Sequence, residues 1–192
     1  MTFACEIPST GAAAALAARF LEVVPELTTE RLTLRAPRID DFPAYADIVC
    51  TKRGRYVGGP LSREDGWYDF IQLAAGWMLR GHGGWTIWRT DDEARIGFAI
   101  LGFEPDDHEP EVGYLLIEGA EGQGYATEAA RAARDFAFDR LGFSTLVSYV
   151  AHGNDVSARV AERLGATRDV DAEARLDNDI RVYRHTPTET LQ

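Results

Sequence analysis

The stretch from Val112 to Asp139 constrains this chain more than any other. An apolar, β-branched and aromatic run, VGYLLI, passes through EGAEGQGY into ATEAARAARDFAF. In the last part Ala126, Ala129, Ala130, Ala133, Phe136 and Ala137 recur at helical spacing, so the small side chains let that helix lie close to a sheet. A strand therefore runs into a helix through Gly122 and Gly124. A helix N-terminus leaves N–H groups unpaired and carries a partial positive charge, and glycines before it let those amides approach an anion without side-chain obstruction. The segment reads as a site that holds an anion.

The rest of the chain supplies the frame. Gly11–Val24 is alanine-rich, with Leu16, Phe20, Val23 and Val24 at helical spacing, and Pro25 ends it. From Thr29 the pattern changes: Leu32 and Leu34 alternate with Thr33 and Arg35 in a short strand closed by Pro37. The spacing predicts helices over Asp40–Cys50 and from the capping pair Ser62 and Asp65 to Leu79, with TKRGRYVGGP as a loop between them. GWTIWRTDDEARIGFAIL reads as an antiparallel hairpin turning at Asp91 and Asp92. Strands at Val112–Ile117, Leu146–Val150 and Arg181–Arg184 follow, and Asn154 opens a helix that ends at Leu164 before Gly165. This order gives the α+β class, a mixed and mostly antiparallel central sheet flanked by helices. It also divides the chain into an appended helical segment, residues 1–27, and one domain, residues 28–192.

Composition narrows the function. A chain of 192 residues with 45% hydrophobic content can bury one proper core. With formal charge −11 and no basic run, a nucleic-acid partner is not expected. Cys5 and Cys50 are the only cysteines and the four histidines are scattered, so neither a disulfide framework nor a metal site is indicated. Ala12–Ala18 lacks a preceding cation and is too short to span a membrane. The expectation is a cytoplasmic protein without membrane partners.

Three phosphate-loop designs can be compared with the glycine segment. A Walker loop needs Gly-Lys-Ser/Thr, whereas Tyr125 and Ala126 follow Gly124. A dinucleotide fingerprint needs a third glycine where Thr127 stands and an acidic residue at the end of the next strand, where Tyr149, Val150 and Ala151 occur. The third is the pyrophosphate loop of coenzyme A acetyltransferases. EVGYLL, GQGYATEA and NDVSARVAERLGA, in that order, resemble the GNAT N-acetyltransferase superfamily, and TERLTLRAPRIDDF resembles its ribosomal-protein-alanine N-acetyltransferase branch. The likeness spans about residues 28 to 185.

The resemblance implies a fold whose central strands, Val112–Ile117 and Leu146–Val150, splay apart to admit the arm of acetyl-CoA. The family motif Gln/Arg-x-x-Gly-x-Gly/Ala falls on Glu121, Gly122, Gln123, Gly124, Tyr125 and Ala126. Their amides, extended by Thr127, would cradle the pyrophosphate. Glu121 departs from the motif by placing a carboxylate where the family has Gln or Arg. Backbone groups of Leu115, Leu116 and Ile117 would bond the pantetheine amides, Asn154 would bond the same arm, and Ser157 would donate to the leaving thiolate. The implied chemistry is direct attack by a primary amine on the thioester in a ternary complex.

The attacking amine must lose a proton. Glu111, at the start of the central strand, is the first candidate base, with His108 and Glu104 behind it. Tyr56 is the candidate acceptor-binding residue, with Trp67 and Trp85 more readily explained by packing. Lys52, Arg53 and Arg55 read first as a solvated basic loop, and otherwise as a site for an acidic acceptor or for the cofactor's 3′-phosphate. Net acidity favours a cationic acceptor: a peptide N-terminus, a polyamine or an aminoglycoside. A homodimer is compatible with the appended segment. The competing class is a coenzyme A-binding sensor whose catalysis has decayed, a reading that Glu121 keeps open.

Overall fold

In a computed structural model, which describes residues 2–176 and 179–187, the apolar alternations become strands of one sheet. They are β1 (Leu27–Thr28), β2 (Leu32–Arg35), β3 (Gly84–Arg89), β4 (Ala94–Gly102), β5 (Glu111–Leu116), β6 (Leu146–Ala151), β7 (Thr167–Arg168) and β8 (Ile180–His185). Their spatial order is β1-β2-β3-β4-β5-β6-β8-β7. β5 and β6 pair in parallel and the other neighbours pair antiparallel. The flanking helices are α1 (Gly11–Leu21), α2 (Phe42–Val49), α3 (Arg63–Arg80), α4 (Tyr125–Asp139), α5 (Asp155–Arg163) and α6 (Val170–Glu173).

Local chemistry sets several boundaries. The Ser62 hydroxyl accepts from the Asp65 N–H at 3.0 Å, and Gly81 at φ +75° ends α3. Asn154 caps α5 by accepting from the Ser157 N–H at 3.3 Å, and Gly165 follows that helix at φ +84°. Ser62, Asn154 and Gly165 match the expected caps, because a side-chain oxygen satisfies an orphan amide and a left-handed glycine releases the chain; Gly81 adds a stop one residue beyond Arg80.

Two cores sit on opposite faces of the sheet. On one face Ala129, Ala133 and Ala137 of α4 are fully buried against Leu32, Ile87, Ile96 and Leu146. On the other, Phe42, Tyr45 and Val49 of α2 and Phe70 of α3 pack on Phe98 and Leu115. Alternation along β5 divides its side chains between the two: Tyr114 and Leu116 join the α4 side, and Leu115 joins the α2 and α3 side.

The parallel β5–β6 pair has one register match, Glu111 with Val147. Near it the Val147 N–H donates to the Pro110 carbonyl at 3.0 Å and the Ser148 hydroxyl donates to the Val112 carbonyl at 2.8 Å. Beyond these contacts the strands part, which leaves a cleft in mid-sheet between the end of β5 and the turn before α5. The splayed sheet expected from the resemblance is therefore present.

At the N-terminus, α1 buries none of its residues. The segment is nevertheless tied down. Glu6 accepts from Arg63 Nε and Nη2, each at 2.7 Å, the Trp85 indole donates to the Pro25 carbonyl at 2.7 Å, and Leu27 pairs with Leu34. Three short elements, β1, β7 and α6, add to those read from the sequence. The TKRGRYVGGP segment is more than a loop, since Lys52–Tyr56 forms a 3-10 turn.

Candidate active site

The glycine segment leads into a helix start that no side chain caps. Gly122 and Gly124 take φ +73° and +85°, a left-handed conformation that side-chain-bearing residues disfavour. Gly124 is the N-cap residue of α4, and no side chain caps that helix. The first intrahelical donor is the Glu128 N–H, which bonds the Gly124 carbonyl at 3.1 Å. Among the described residues, the N–H groups of Gly122, Gln123, Gly124, Tyr125, Ala126 and Thr127 donate to no backbone carbonyl. Such a run of free amides at the positive end of a 15-residue helix suits a diphosphate.

Side chains brace this loop. Glu128 accepts from the Thr29 hydroxyl at 2.6 Å and from Arg31 at its backbone N–H and Nε, 2.9 and 2.7 Å. Arg31 in turn donates to the Gln123 carbonyl at 3.0 Å, and its guanidinium lies 4.5 Å from the Tyr125 ring centre. The Gln123 amide turns back to the Gly119 carbonyl at 2.8 Å. Arg31 thus brings positive charge to the loop of an acidic protein, a contribution made by a residue ninety-odd positions away in sequence.

The cleft edge of β5 refines the expected backbone contacts. The Ile117 N–H already donates to the Ile96 carbonyl at 3.0 Å. Because backbone groups alternate between the two edges of a strand, Leu115 also faces β4, opposite Phe98. Leu116 and Tyr114 point their backbone groups toward β6. Of Leu115, Leu116 and Ile117, only Leu116 faces the cleft; a register in which alternate residues serve alternate edges is the reason for this correction.

Across the cleft the Tyr114 hydroxyl donates to Ser157 Oγ at 3.0 Å. Burial pushes the Tyr114 phenol up, against the hydrogen bond to Ser157 and the nearby Arg163 charge. Asn154 spends its side-chain oxygen on the α5 cap, which leaves its NH2 for another partner. Tyr114 was not singled out from the sequence, since inside VGYLLI it looks like any core aromatic.

On the α2 and α3 side of the sheet lies a cavity of about 920 Å³. Six carboxylates line it: Asp65, Asp69, Glu104, Asp106, Asp107 and Glu111. Burial, with the charges of Asp107 and Glu104 behind it, raises Glu111 to about 8; a bond from the Tyr149 backbone opposes the rise. Burial likewise raises Asp69, Glu104 and Asp107. Asp69 is steadied by the Tyr45 hydroxyl, which donates to it at 2.7 Å.

The other expected residues separate. Glu104 and Tyr56 line the cavity, and the Tyr56 hydroxyl donates to the Gly153 carbonyl at 3.0 Å. His108 lies instead at a small depression beside Glu109, Ala172 and Leu176. Trp85 is wholly buried in the sheet core, and Trp67 packs edge-on against Phe42, 5.0 Å between ring centres. Arg53 is not a solvated loop residue: it is three-quarters buried and paired with Glu121. The carboxylate it meets lies 68 positions away in sequence.

Comparison with known proteins accords with this geometry. The model of the acetyltransferase (GNAT) domain matches residues 31–167. An acetyltransferase from Agrobacterium tumefaciens strain C58, known as a crystal structure, is 44% identical; the match covers 85% of this chain and 95% of that one, with a TM-score of 0.80. YkkB, an uncharacterized protein of Bacillus subtilis (strain 168), is 33% identical over 96 residues, 46% of this chain and 56% of that protein. The fold also resembles RimL, a ribosomal L7/L12 alpha-N-protein acetyltransferase solved in complex with coenzyme A, at 21% identity and a TM-score of 0.67, covering 85% of this chain and 98% of that one.

Proposed function

Because the chain belongs to the GNAT acetyltransferase family, we propose that it moves an acetyl group from acetyl-CoA to a cationic primary amine by direct attack in a ternary complex. The observation that carries this reading is the uncapped α4 N-terminus with its six free amides, set beside a split sheet that opens onto an acidic cavity. Acetyl-CoA supplies the activated thioester. The remaining work falls to this chain's own residues.

The amides of Gly122, Gln123, Gly124, Tyr125, Ala126 and Thr127 hold the pyrophosphate, and the Leu116 backbone with the Asn154 amide aligns the pantetheine arm. Glu111 accepts a proton from the entering ammonium. Its raised value, about 8, lies near the working pH, where a carboxylate is most useful as a base. On the opposite face, Ser157 accepts from Tyr114, so its own hydroxyl proton is free to point at the leaving sulfur. Base and donor thus sit on the two faces of β5, and the thioester would reach both through the cleft between β5 and β6. Desolvated carboxylates around the cavity favour an acceptor that arrives positively charged, whether a peptide N-terminus, a polyamine or an aminoglycoside.

The test is release of free thiol from acetyl-CoA in the presence of a panel of these amines. Turnover on at least one of them is expected. Tight coenzyme A binding without turnover on any amine in the panel would instead favour a sensor. The feature that suggested decay, a carboxylate at Glu121, loses its force because Arg53 neutralises it. Thermal stabilisation by NAD rather than coenzyme A would overturn the cofactor assignment.

A further inference from the structure

The 3-10 turn Lys52–Tyr56 crosses the cleft in the sheet and touches both of its lips. On the β5 side, Arg53 Nη2 donates to the Leu116 carbonyl at 2.8 Å and to the Glu121 carboxylate. On the α5 side, the Tyr56 hydroxyl reaches the Gly153 carbonyl at 3.0 Å. The turn is firmly placed. Gly54 is buried, and a Cβ there would come within 2.5 Å of the Val49 carbonyl. Gly54 also accepts from the Val57 and Gly59 amides, both at 2.9 Å.

Arg53 is held in an unfinished arrangement. Among the described residues its Nε is buried without a hydrogen-bond partner, an omission that costs free energy unless another group completes the site. The acceptor it uses, the Leu116 carbonyl, is the cleft-facing backbone group that the pantetheine arm needs. Its other partner, Glu121, stands where the loop motif ordinarily carries Gln or Arg, immediately before the free amides of Gly122 to Thr127.

We propose that Arg53 is a cofactor-binding residue: it supplies to the pyrophosphate the side-chain donor that Glu121 takes from the loop, and Glu121 holds it in position until the cofactor enters. This inference rests on the coenzyme A reading above. When the pantetheine amide takes over the Leu116 carbonyl, Arg53 is released toward the phosphates, where a guanidinium makes strong charge-assisted bonds. Glu121 then serves as the holder of a cation borrowed from a different segment.

Titration calorimetry with coenzyme A, 3′-dephospho-coenzyme A and pantetheine tests the assignment in wild type, Arg53→Ala and the double variant Arg53→Ala with Glu121→Ala. Circular dichroism confirms that each variant is folded. Arg53→Ala is expected to weaken both nucleotides about ten- to a hundredfold, the range for a charge-assisted bond, without weakening pantetheine, which lacks the pyrophosphate. The double variant is expected to remain weak. Unchanged or tighter coenzyme A binding by Arg53→Ala would mean that the residue only closes an empty cleft. Full recovery in the double variant would mean that Arg53 merely neutralises Glu121, and loss confined to coenzyme A would move the contact to the 3′-phosphate; each result overturns the proposal. Failure of the wild type to bind either nucleotide would be a different failure, that of the cofactor reading itself.

Discussion

Replacing Glu111 by Gln separates the electrostatics of the cavity from its shape, since the two side chains are nearly isosteric. In the folded chain Glu111 lies at about 8 against an ordinary 4.5, raised first by burial and then by Asp107 and Glu104. The folded state therefore holds this proton more tightly than the unfolded state does. Its contribution to stability is complete below pH 4.5 and is lost as pH rises through about 8, because the folded protein must then keep a poorly solvated carboxylate. At 1.36 kcal/mol per pH unit the full interval corresponds to roughly 5 kcal/mol. Glu111 is only partly buried and faces an open cavity, so water screens part of this and the realised loss should be about 1–3 kcal/mol. Urea unfolding at pH 5 and pH 9 measures it: the wild type should lose that much more stability than Glu111→Gln over the same interval. In parallel, acetyl transfer should fall by about 10²–10⁴-fold in the variant, and the wild-type rise of kcat/KM with an apparent pKa near 8 should disappear. Equal pH dependence of stability in the two proteins, with the rising limb of activity intact in the variant, would refute both the burial argument and the assignment of the base.

Four other substitutions probe the loop, the thiolate donor and the buried histidine. Gly124→Val puts a β-branched residue at φ +85° with its Cβ about van der Waals distance from Arg31; it should weaken coenzyme A at least about tenfold and cost about 1–3 kcal/mol of stability, measured by calorimetry and thermal unfolding. Ser157→Ala should lower kcat about 10–100-fold with little change in coenzyme A affinity, and Tyr114→Phe, which removes only the proton donated to Ser157, should lower it less; single-turnover rates would reveal the reverse order if Tyr114 were the direct donor. His185 is buried and, by that burial and the nearby Arg134 charge, is lowered from 6.5 to about 4. The folded state resists protonating it, so stability should be lost as pH falls from 6.5 through about 4, by roughly 3 kcal/mol. His185→Leu should flatten this acid limb in urea titrations.

Much of the fold was legible because its signals are local. Ser62, Asn154 and Gly165 act within one turn of chain, and the hairpin around Asp92 joins strands that are adjacent in sequence. The short elements β1, β7 and α6 carry too few residues for a periodic signal, and Arg53 lies in a polar run that looks like any solvated loop. Glu111 was recognisable as a candidate base, but its acidic neighbours in EPDDHEPE gave no measure of how far its proton would be retained.

The free amides ahead of α4 were readable from local chain alone, because left-handed glycines and an uncapped helix start depend on neighbouring residues. Which charges meet there depends on packing across the fold. Arg31 reaches Glu128 and the Gln123 carbonyl, Arg53 crosses to Glu121, Tyr114 finds Ser157, and β5 parts from β6 after one register pair. Each of these contacts joins residues dozens of positions apart, so their proximity follows from how the sheet and helices pack rather than from local chain preference. The raised value of Glu111 has the same origin, since it needs the burial that folding brings, with Asp107 and Glu104 of the loop after β4 beside it.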